Sequence, residues 1–490
     1  MSYLARLYGS SLGLLTDLYQ LTMAYGYWKS DVRDREAAFH LLFRENPFGG
    51  GFAIACGLAT AVEYLEKLEF DEEDIAYLAD LRGSDGKRLF EPAFLRFLRG
   101  LRLECDIDAV PEGSVVFPQE PLVRVTGPLI QSQIIETALL NVVNFQTLVA
   151  TKAARVTAAS RGEPVLEFGL RRAQGIDGGV AASRAAYVGG CAGTSNVLAG
   201  RLLGIPVRGT HAHSWVMCFD DELEAFMAYA RAMPNNCVFL VDTYDTLEGV
   251  RRAVKAAEWL RSEGHELLGI RLDSGDLAYL SIEARRILDE AGFPQAAIVA
   301  SNDLDEHTID SLKTQGATIG VWGVGTRLVT GHDQSALGGV YKLSAIRKKG
   351  GEWQDRVKLS EQLPKTSTPG VLQVRRFVED GRALGDAIYD VRFPVAGECT
   401  IVDPADSTRR KTIAPGTPST DLLVPIFRVG KRVYDVPPIE DSRRRVREQL
   451  ELFHAGVKRF LYPHQYPAGL ELGLHKRKTE LILQQRGFAK

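Results

Sequence analysis

Cysteine is scarce and scattered in this sequence of 490 residues, which holds six cysteines, at positions 56, 105, 191, 218, 237 and 399. None of them forms a CxxC pair, so the pattern favours neither a disulfide framework nor a zinc knuckle. We expect reduced thiols, which are typical of a cytoplasmic protein.

The chain also lacks an excess of charge of either sign. Its 59 lysines and arginines are matched by 62 aspartates and glutamates, and the net charge is -3. Proteins that bind nucleic acid through a broad electrostatic field are strongly basic, so we expect no nucleic-acid partner. An anionic ligand would have to be bound by a few local arginines.

Long apolar runs and targeting segments are missing as well. No run of about 18 apolar residues is apparent, and the apolar N-terminus is interrupted by Asp17 and Gln20. We therefore expect no signal peptide, no membrane span and no membrane partner. The GxxxxGK[ST] pattern of nucleotide-binding P-loops is absent too.

What is present divides into three regions. Residues 1–133 mix helical and strand patterns and predict an N-terminal α+β domain. Residues 134–344 alternate strands with amphipathic helices at intervals of about 30 residues, which predicts an α/β fold with an irregular parallel βα barrel, similar to a TIM barrel. An open doubly wound sheet has the same local pattern. Residues 345–490 predict a β-rich region followed by a helical tail.

The strands of the middle region are short apolar runs, predicted at residues 165–170, 205–209, 238–242, 268–273, 297–302 and 318–324. Helices are predicted at 222–233, 247–262, 278–291 and 306–315. Active sites of parallel barrels lie at the C-terminal ends of the strands.

Polar or glycine-rich clusters follow the strands at six places. They are Arg171 with Arg172; Thr210, His211, His213 and Ser214; Asp242; Arg271, Asp273 and Asp276; Ser301, Asn302 and Asp303; and Gly323, Gly325, Thr326 and Arg327. Six such clusters in succession predict one site.

The last two clusters are typical of a phosphate-binding site, because glycine lets backbone N–H groups approach an anion and hydroxyls add donors. An ordinary glycine turn is the alternative.

Arg271 and Asp273 alternate on one strand end and so point the same way. An arginine binds phosphate or pyrophosphate with two N–H groups, and a carboxylate holds a ribose hydroxyl or a hydrated magnesium ion. A structural ion pair is the alternative here.

His211 and His213 also alternate, and an HxH pair can bind the metal of a metal-dependent βα-barrel hydrolase. The other strand ends offer no histidine, and a single histidine beside Ser214 can act instead as a nucleophile or acid–base group. A small-molecule sensor without catalytic activity is a third interpretation.

Ten motifs, in order along nearly the whole chain, resemble those of the nicotinate phosphoribosyltransferase family. They are TDLYQLTMA, FRENPFGGGFAI, EFGLRRAQGIDG, GTSNVLAG, GTHAHS, IRLDSGDL, SNDLDE, GVGTRLV, KLSEQLPKTSTPG and RFLYPHQYP. The resemblance implies condensation of nicotinate with phosphoribosyl pyrophosphate, giving nicotinate mononucleotide and pyrophosphate in NAD salvage. It implies coupled ATP hydrolysis and a requirement for Mg²⁺. Phosphoribosyltransferases for nicotinamide or quinolinate are the alternatives of the same class.

The resemblance also implies roles for single residues. Tyr19 and Phe168 match the aromatic pair that sandwiches the pyridine ring, with the tyrosine supplied by the partner subunit of a homodimer. On periodicity alone, Tyr19 is a core or interface aromatic. Arg171 matches the arginine beside the ring carboxylate, and Arg271 and Asp273 match the phosphoribosyl pyrophosphate contacts.

Further roles concern the phosphates. Ser301, Asn302, Gly323 and Gly325 fall in the family's phosphate-binding loops, and His213 matches the histidine that ATP phosphorylates. The resemblance implies no role for His211. The other substrate-binding candidates at the strand ends are Thr210, Ser214, Asp242 and Thr326. Magnesium is expected to bind through the substrate phosphates, near Asp273.

Ser195 concerns the choice of substrate. It occupies the position in Gly193-Thr194-Ser195-Asn196 where the related nicotinamide enzymes carry the aspartate of a GTD sequence. A serine hydroxyl donates to a carboxylate without repulsion, which predicts a preference for nicotinate. The plainer alternative is that Ser195 only caps a helix at residues 196–203, and we expect it to fill both roles.

Overall fold

The N-terminal part of the chain mixes helices and strands in the computed structural model, which describes residues 11–362 and 365–488. The helices are α1 (Leu18–Trp28), α2 (Leu58–Glu66), α3 (Glu72–Asp80), α4 (Pro92–Arg99), α5 (Leu129–Ile134) and α6 (Glu136–Ala159). The strands are β1 (Arg35–Phe43), β2 (Ala53–Ile54), β3 (Asp106–Ala109), β4 (Val115–Val116) and β5 (Val123–Pro128).

The middle of the chain alternates strands and helices. The strands are β6 (Val165–Glu167), β7 (Gly193–Thr194), β8 (Val238–Leu240), β9 (Gly269–Leu272), β10 (Ala297–Ala300) and β11 (Val321–Val324). The helices are α7 (Gly175–Val188), α8 (Val197–Leu203), α9 (His213–Val216), α10 (Glu222–Ala232), α11 (Thr246–Ser262), α12 (Leu277–Glu290), α13 (Glu306–Thr314) and α14 (Thr326–Val329).

All six of these strands are parallel and pair in the order β7-β6-β11-β10-β9-β8. The mixed α/β fold is therefore confirmed, and the four predicted helices match α10 to α13 to within a residue or so at each end. The predicted strand at 205–209 is wrong, because only Val207 forms a parallel bridge, to Thr194. Its neighbour Pro206 has no N–H to donate to a ladder.

Short polar side chains start the helices of this region. The caps are Asn196 for α8, Asp221 for α10, Asp245 for α11, Asp276 for α12 and Asp305 for α13, and each accepts hydrogen bonds from N–H groups two or three residues further on. These bonds satisfy amides that have no partner within the helix. Asp276 is thus a helix cap.

The rest of the chain is β-rich, as predicted. Its strands are β12 (Gly339–Lys348), β13 (Gln354–Asp355), β14 (Leu372–Glu379), β15 (Arg382–Asp390), β16 (Cys399–Val402), β17 (Arg410–Ile413), β18 (Ser419–Asp421), β19 (Val424–Arg428), β20 (Lys431–Arg432) and β21 (Ala468–Glu471). Two helices, α15 (Ile439–Glu451) and α16 (Leu472–Gln485), lie in the tail that the sequence predicts to be helical, and β21 lies between them. In the motif KLSEQLPKTSTPG, Leu363 and Pro364 lie outside the described residues.

The chain folds into two compact units, residues 1–147 with 336–490, and residues 148–335. The first and last predicted regions therefore share one unit, although the sequence predicts them as separate domains. The reason is the seven-stranded sheet β13-β12-β1-β5-β3-β19-β20, which joins strands from both ends of the chain. This unit also contains a six-stranded sheet, β17-β16-β21-β15-β14-β18, and a two-stranded sheet, β2-β4.

Among the described residues, one helical stretch, Leu129–Ala159, has the length and apolar composition of a membrane span, which the sequence analysis did not expect. However, 61% of its most apolar window is buried inside the protein, and a core helix passes the same test. Its buried Lys152 and Arg155 form ion pairs of 2.8 Å each with Glu306.

Candidate active site

Three predicted residues form one hydrogen-bonded group where β9 and β10 end. Arg271 donates from Nε to the Ser301 hydroxyl and from Nη2 to Asp273 Oδ1, both over 2.8 Å. Ser301 donates to the same carboxylate oxygen over 2.5 Å. Burial alone would raise the pKa of Asp273, but the Ser301 hydroxyl and the Arg271 guanidinium outweigh burial and hold that pKa below its ordinary value.

Asp242 joins this group from the end of β8. Its Oδ2 accepts from the Asp273 backbone N–H over 2.9 Å and from the Ser274 hydroxyl over 2.7 Å. Its Oδ1 is buried without a hydrogen-bond partner. Because a buried carboxylate oxygen without a partner is costly, Asp242 has capacity left for a ligand or a cation.

His213 lies beside the same carboxylates, at the first position of α9. Its Nε2 is 3.7 Å from Asp273 Oδ2, and its Nδ1 is 3.2 Å from the Thr243 hydroxyl. The side chain is 39% exposed. The imidazole is thus oriented on both sides and remains accessible.

His211 is in a different environment and does not form a metal pair with His213. Its Nε2 accepts from the Leu240 backbone N–H over 3.3 Å, and its ring packs edge-on against Tyr229. Burial lowers the pKa of His211 to about 4, so the ring is neutral. Within residues 11–362 and 365–488, no group of three or more His, Cys, Asp or Glu side chains has a metal-binding arrangement. The hydrolase interpretation therefore has no support.

Phe168 follows β6 and faces the arginine of this group, with Arg271 Cζ 5.9 Å from the ring centroid. Gly323 makes room for the ring, because a Cβ atom there would lie 2.7 Å from Phe168 Cδ2. A Cβ at Gly325 would lie 3.1 Å from the Phe168 carbonyl oxygen. Gly323 therefore leaves space for the aromatic ring, and Gly325 leaves space for the Phe168 backbone.

Arg171 lies on a short 3-10 helix, Leu170–Arg172, which Gly169 separates from Phe168. Its side chain is exposed, and among the described residues it makes no hydrogen bond or ion pair. The guanidinium is thus available for an anion.

Ser195 follows β7 and is not a helix cap, since the side chain that accepts from the α8 amide of Ala199 is that of Asn196. Its N–H donates to the Glu167 carbonyl over 2.9 Å. Pairing of Thr194 with Glu167 puts Ser195 next to Phe168 in the sheet register. The Ser195 hydroxyl has no partner in the described part of the chain.

The remaining candidate residues have no hydrogen bond to the Arg271 group among the described residues. Asn302 has a φ of 132°, a strained conformation for a non-glycine residue, and it follows Ser301 directly. Thr210 donates to the Val238 carbonyl, while Ser214 and Thr326 lie in the first turns of α9 and α14. Tyr19 lies on α1 in the first unit with 48% of its surface exposed, so it is not a core aromatic.

Comparison with known proteins decides the family. The N-terminal domain, family and C-terminal domain profiles of nicotinate phosphoribosyltransferase match residues 14–144, 164–370 and 373–478. The nicotinate phosphoribosyltransferase of Bacillus subtilis is 44% identical over 96% of this chain and 95% of its own, and that of Homo sapiens 37% identical over 96% and 97%. This chain belongs to the nicotinate phosphoribosyltransferase family. The crystal structure of human nicotinic acid phosphoribosyltransferase superposes with a TM-score of 0.83, at 34% identity over 96% of this chain and all of the other.

Two further side chains of this nicotinate phosphoribosyltransferase site lie in the predicted strand-end clusters, but the sequence assigned them no role. Thr243 contacts His213, and Ser274 contacts Asp242. Thr243 directly follows Asp242 and Ser274 directly follows Asp273, so the strand-end pattern located both residues near the site but gave neither of them a function. Neither has a residue type that marks a site by itself.

Proposed function

We propose that this protein condenses nicotinate with phosphoribosyl pyrophosphate, giving nicotinate mononucleotide and pyrophosphate, and that it couples this reaction to ATP hydrolysis in NAD salvage. Membership of the family supports the proposal. The geometric observation that carries it is the uncommitted Arg171, three residues after Phe168 in the chain, together with the Arg271 group that faces the Phe168 ring. An aromatic face beside a free guanidinium suits a planar aromatic carboxylate.

The chemistry fits this division of the site. As pyrophosphate leaves, C1 of the ribose passes through an oxocarbenium-like state, so the leaving group must be neutralised and the weak pyridine nucleophile held in line. Arg271 would neutralise phosphate charge, and Phe168 with Arg171 would orient the ring. No strong general base is needed.

Magnesium is part of the proposal. The candidate oxygen ligands for the ion are Asp242 and Asp273, which are linked by the hydrogen bond from the Asp273 backbone N–H to Asp242 Oδ2. The buried Oδ1 of Asp242 lacks a partner. Two carboxylates suit Mg²⁺ when substrate phosphates and water complete its shell. The ion, when bound, would neutralise the charge of the phosphates. ATP is proposed to phosphorylate His213.

The deciding experiment is turnover of phosphoribosyl pyrophosphate with nicotinate, nicotinamide and quinolinate in parallel, measured as pyrophosphate release and as the mononucleotide formed. Nicotinate should be the preferred acceptor. Preference for another acceptor would change the substrate assignment, and no pyrophosphate release with any of them would contradict the proposed function.

Arg271→Ala should lower kcat/KM for phosphoribosyl pyrophosphate about 10- to 150-fold, because a charged hydrogen bond contributes about 1.5–3 kcal/mol. The variant also leaves Asp273 without its cation. Steady-state kinetics at saturating nicotinate measure the effect, and the exposed Arg286→Ala on α12 is the control. Near-parent kinetics for Arg271→Ala would contradict this role.

We also propose a homodimer with shared active sites, in which Tyr19 serves the site of the partner subunit. Exposed apolar side chains cluster in sequence around Tyr19, namely Leu12, Leu15, Leu18 and Met23, and such a surface favours a protein contact. Mixing inactive Tyr19→Ala and Arg171→Ala proteins should restore part of the activity once subunits exchange, because a mixed dimer has one intact site. A fully active monomer in light scattering would contradict the proposal.

We infer that the parallel sheet of residues 134–344 is a closed, irregular barrel. Strand pairing alone leaves β7 and β8 at the edges. The segment after α8 contacts both edges, since Val207 bridges Thr194 of β7 and His211 accepts from Leu240 of β8.

A cytoplasmic location is proposed as well, since all six cysteines are free thiols.

A further inference from the structure

Glu167 is a fully buried carboxylate at the end of β6 that the proposed chemistry does not use. Its Oε2 accepts from the Thr194 hydroxyl over 2.5 Å and from the Ser183 hydroxyl over 2.8 Å. Its Oε1 accepts from the backbone N–H of Gly169. One carboxylate therefore binds to α7, to β7 and to the turn that follows its own strand.

These bonds continue into the turn that carries Ser195. Because the Thr194 hydroxyl donates to Glu167, its lone pairs are free to accept from the Asn196 N–H over 2.9 Å. Asn196 Nδ2 lies 3.2 Å from the Ser183 hydroxyl oxygen, which closes the network. Glu167 thus links two backbone segments, the turn at Gly169 that follows Phe168 and the segment of residues 194–196 that follows the neighbouring strand β7.

The negative charge of this group is not matched by a cation. No lysine, arginine or histidine within the described ranges forms an ion pair with Glu167, whereas the equally buried Glu306 pairs with both Lys152 and Arg155. A buried carboxylate without a cation is unfavourable for stability unless hydrogen bonds compensate it, and here two buried hydroxyls and one backbone N–H do so. What the carboxylate provides is three strong acceptor contacts at one point, and this favours a role in positioning.

We propose that Glu167 is the positioning residue of the pyridine subsite, holding Phe168, Arg171 and Ser195 in one arrangement through Gly169 and Thr194. The proposal rests on the function proposed above. It predicts that weakening this network impairs binding of the pyridine substrate while binding at the Arg271 group is largely kept, since the hydrogen bonds of Arg271 go to Ser301 and Asp273 and not to Glu167 or its partners.

Glu167→Gln is the sharpest variant, because it keeps the shape and removes one acceptor. A glutamine can turn its oxygen to the Gly169 N–H, but its NH₂ group then faces the Thr194 hydroxyl, which can no longer donate there. The physical readout is amide hydrogen exchange of the free protein, followed by mass spectrometry. Peptides covering residues 168–172 and 194–199 should exchange faster in Glu167→Gln, and peptides from α12 should not change. Unchanged exchange in the first two peptides would overturn the proposal.

The kinetic readout separates positioning from general destabilisation. In Glu167→Gln, KM for nicotinate should rise about tenfold, while KM for phosphoribosyl pyrophosphate should stay within about threefold. Thr194→Val should likewise raise KM for nicotinate more than KM for phosphoribosyl pyrophosphate. Thr194→Ser, which keeps the hydroxyl, should have both KM values of the parent protein.

Ser281→Ala is the matched control, since it removes a buried hydroxyl that accepts from the Thr318 N–H away from this site. It should lower Tm without splitting the two KM values. Equal shifts of both KM values in Glu167→Gln, or a split in Ser281→Ala, would overturn the proposal. If the parent protein does not use nicotinate, the proposed function fails, and hydrogen exchange still decides whether Glu167 holds the two segments.

Discussion

Replacing Ser195 with aspartate should lower kcat/KM for nicotinate at least about 100-fold more than kcat/KM for nicotinamide. The two substrates differ only in carboxylate and carboxamide. An aspartate would repel the carboxylate and accept from the amide NH₂, and like charges at close range cost several kcal/mol, equivalent to about 100-fold or more. The structure supports the position, because sheet register puts Ser195 next to Phe168 and the Ser195 hydroxyl is uncommitted.

The helix-cap alternative makes a different prediction. Since Asn196 is the cap of α8, changes at Ser195 should leave stability nearly unaltered. Ser195→Asn is the matched control, with nearly the size of aspartate and no charge. It should affect both substrates alike, and competition between nicotinate and nicotinamide in one reaction measures the ratio directly. Equal loss for both substrates in Ser195→Asp would move the selectivity to another residue.

Replacing His213 with alanine should abolish incorporation of acid-labile phosphate from ATP and lower ATP hydrolysis at least about 1000-fold, as expected when a nucleophile is removed. Slow transfer of the phosphoribosyl group should persist, because Arg271, Phe168 and Arg171 remain. The imidazole is 39% exposed, and its two nitrogens face Thr243 and Asp273, so it is oriented and accessible to a phosphoryl group.

The measurement is incubation with γ-labelled ATP, followed by peptide mapping under alkaline conditions. His307→Ala, at an exposed histidine of α13 in the same unit, should keep the label and the hydrolysis rate. Thr243→Val should keep some label, because the nucleophile is present and only its orientation is weakened. Label on His213→Ala at the parent level would show that the phosphorylated residue lies elsewhere.

Much of the site was predictable because strand-end residues in parallel sheets converge. Arg271 and Asp273 alternate on one strand, and Ser301 ends the neighbouring strand, so their hydrogen-bonded group follows from local pattern plus strand order. His211 was harder. Its spacing from His213 is that of a metal pair, but burial against Tyr229 and the bond from the Leu240 N–H commit the ring to structure.

The amino-acid sequence alone determined the family, the α/β pattern of the middle region and the residue types available for binding, because these depend on local periodicity and on motifs in order along the chain. Tertiary structure decided which partners those residues have. It joined β1 with β12, about 300 residues apart, into one sheet, and it left Arg171 and the Ser195 hydroxyl uncommitted. It also made Glu167 the common acceptor of Ser183, Thr194 and Gly169. A hydrogen-bond network between distant segments depends on how strands and helices pack in space, and no local pattern records that packing.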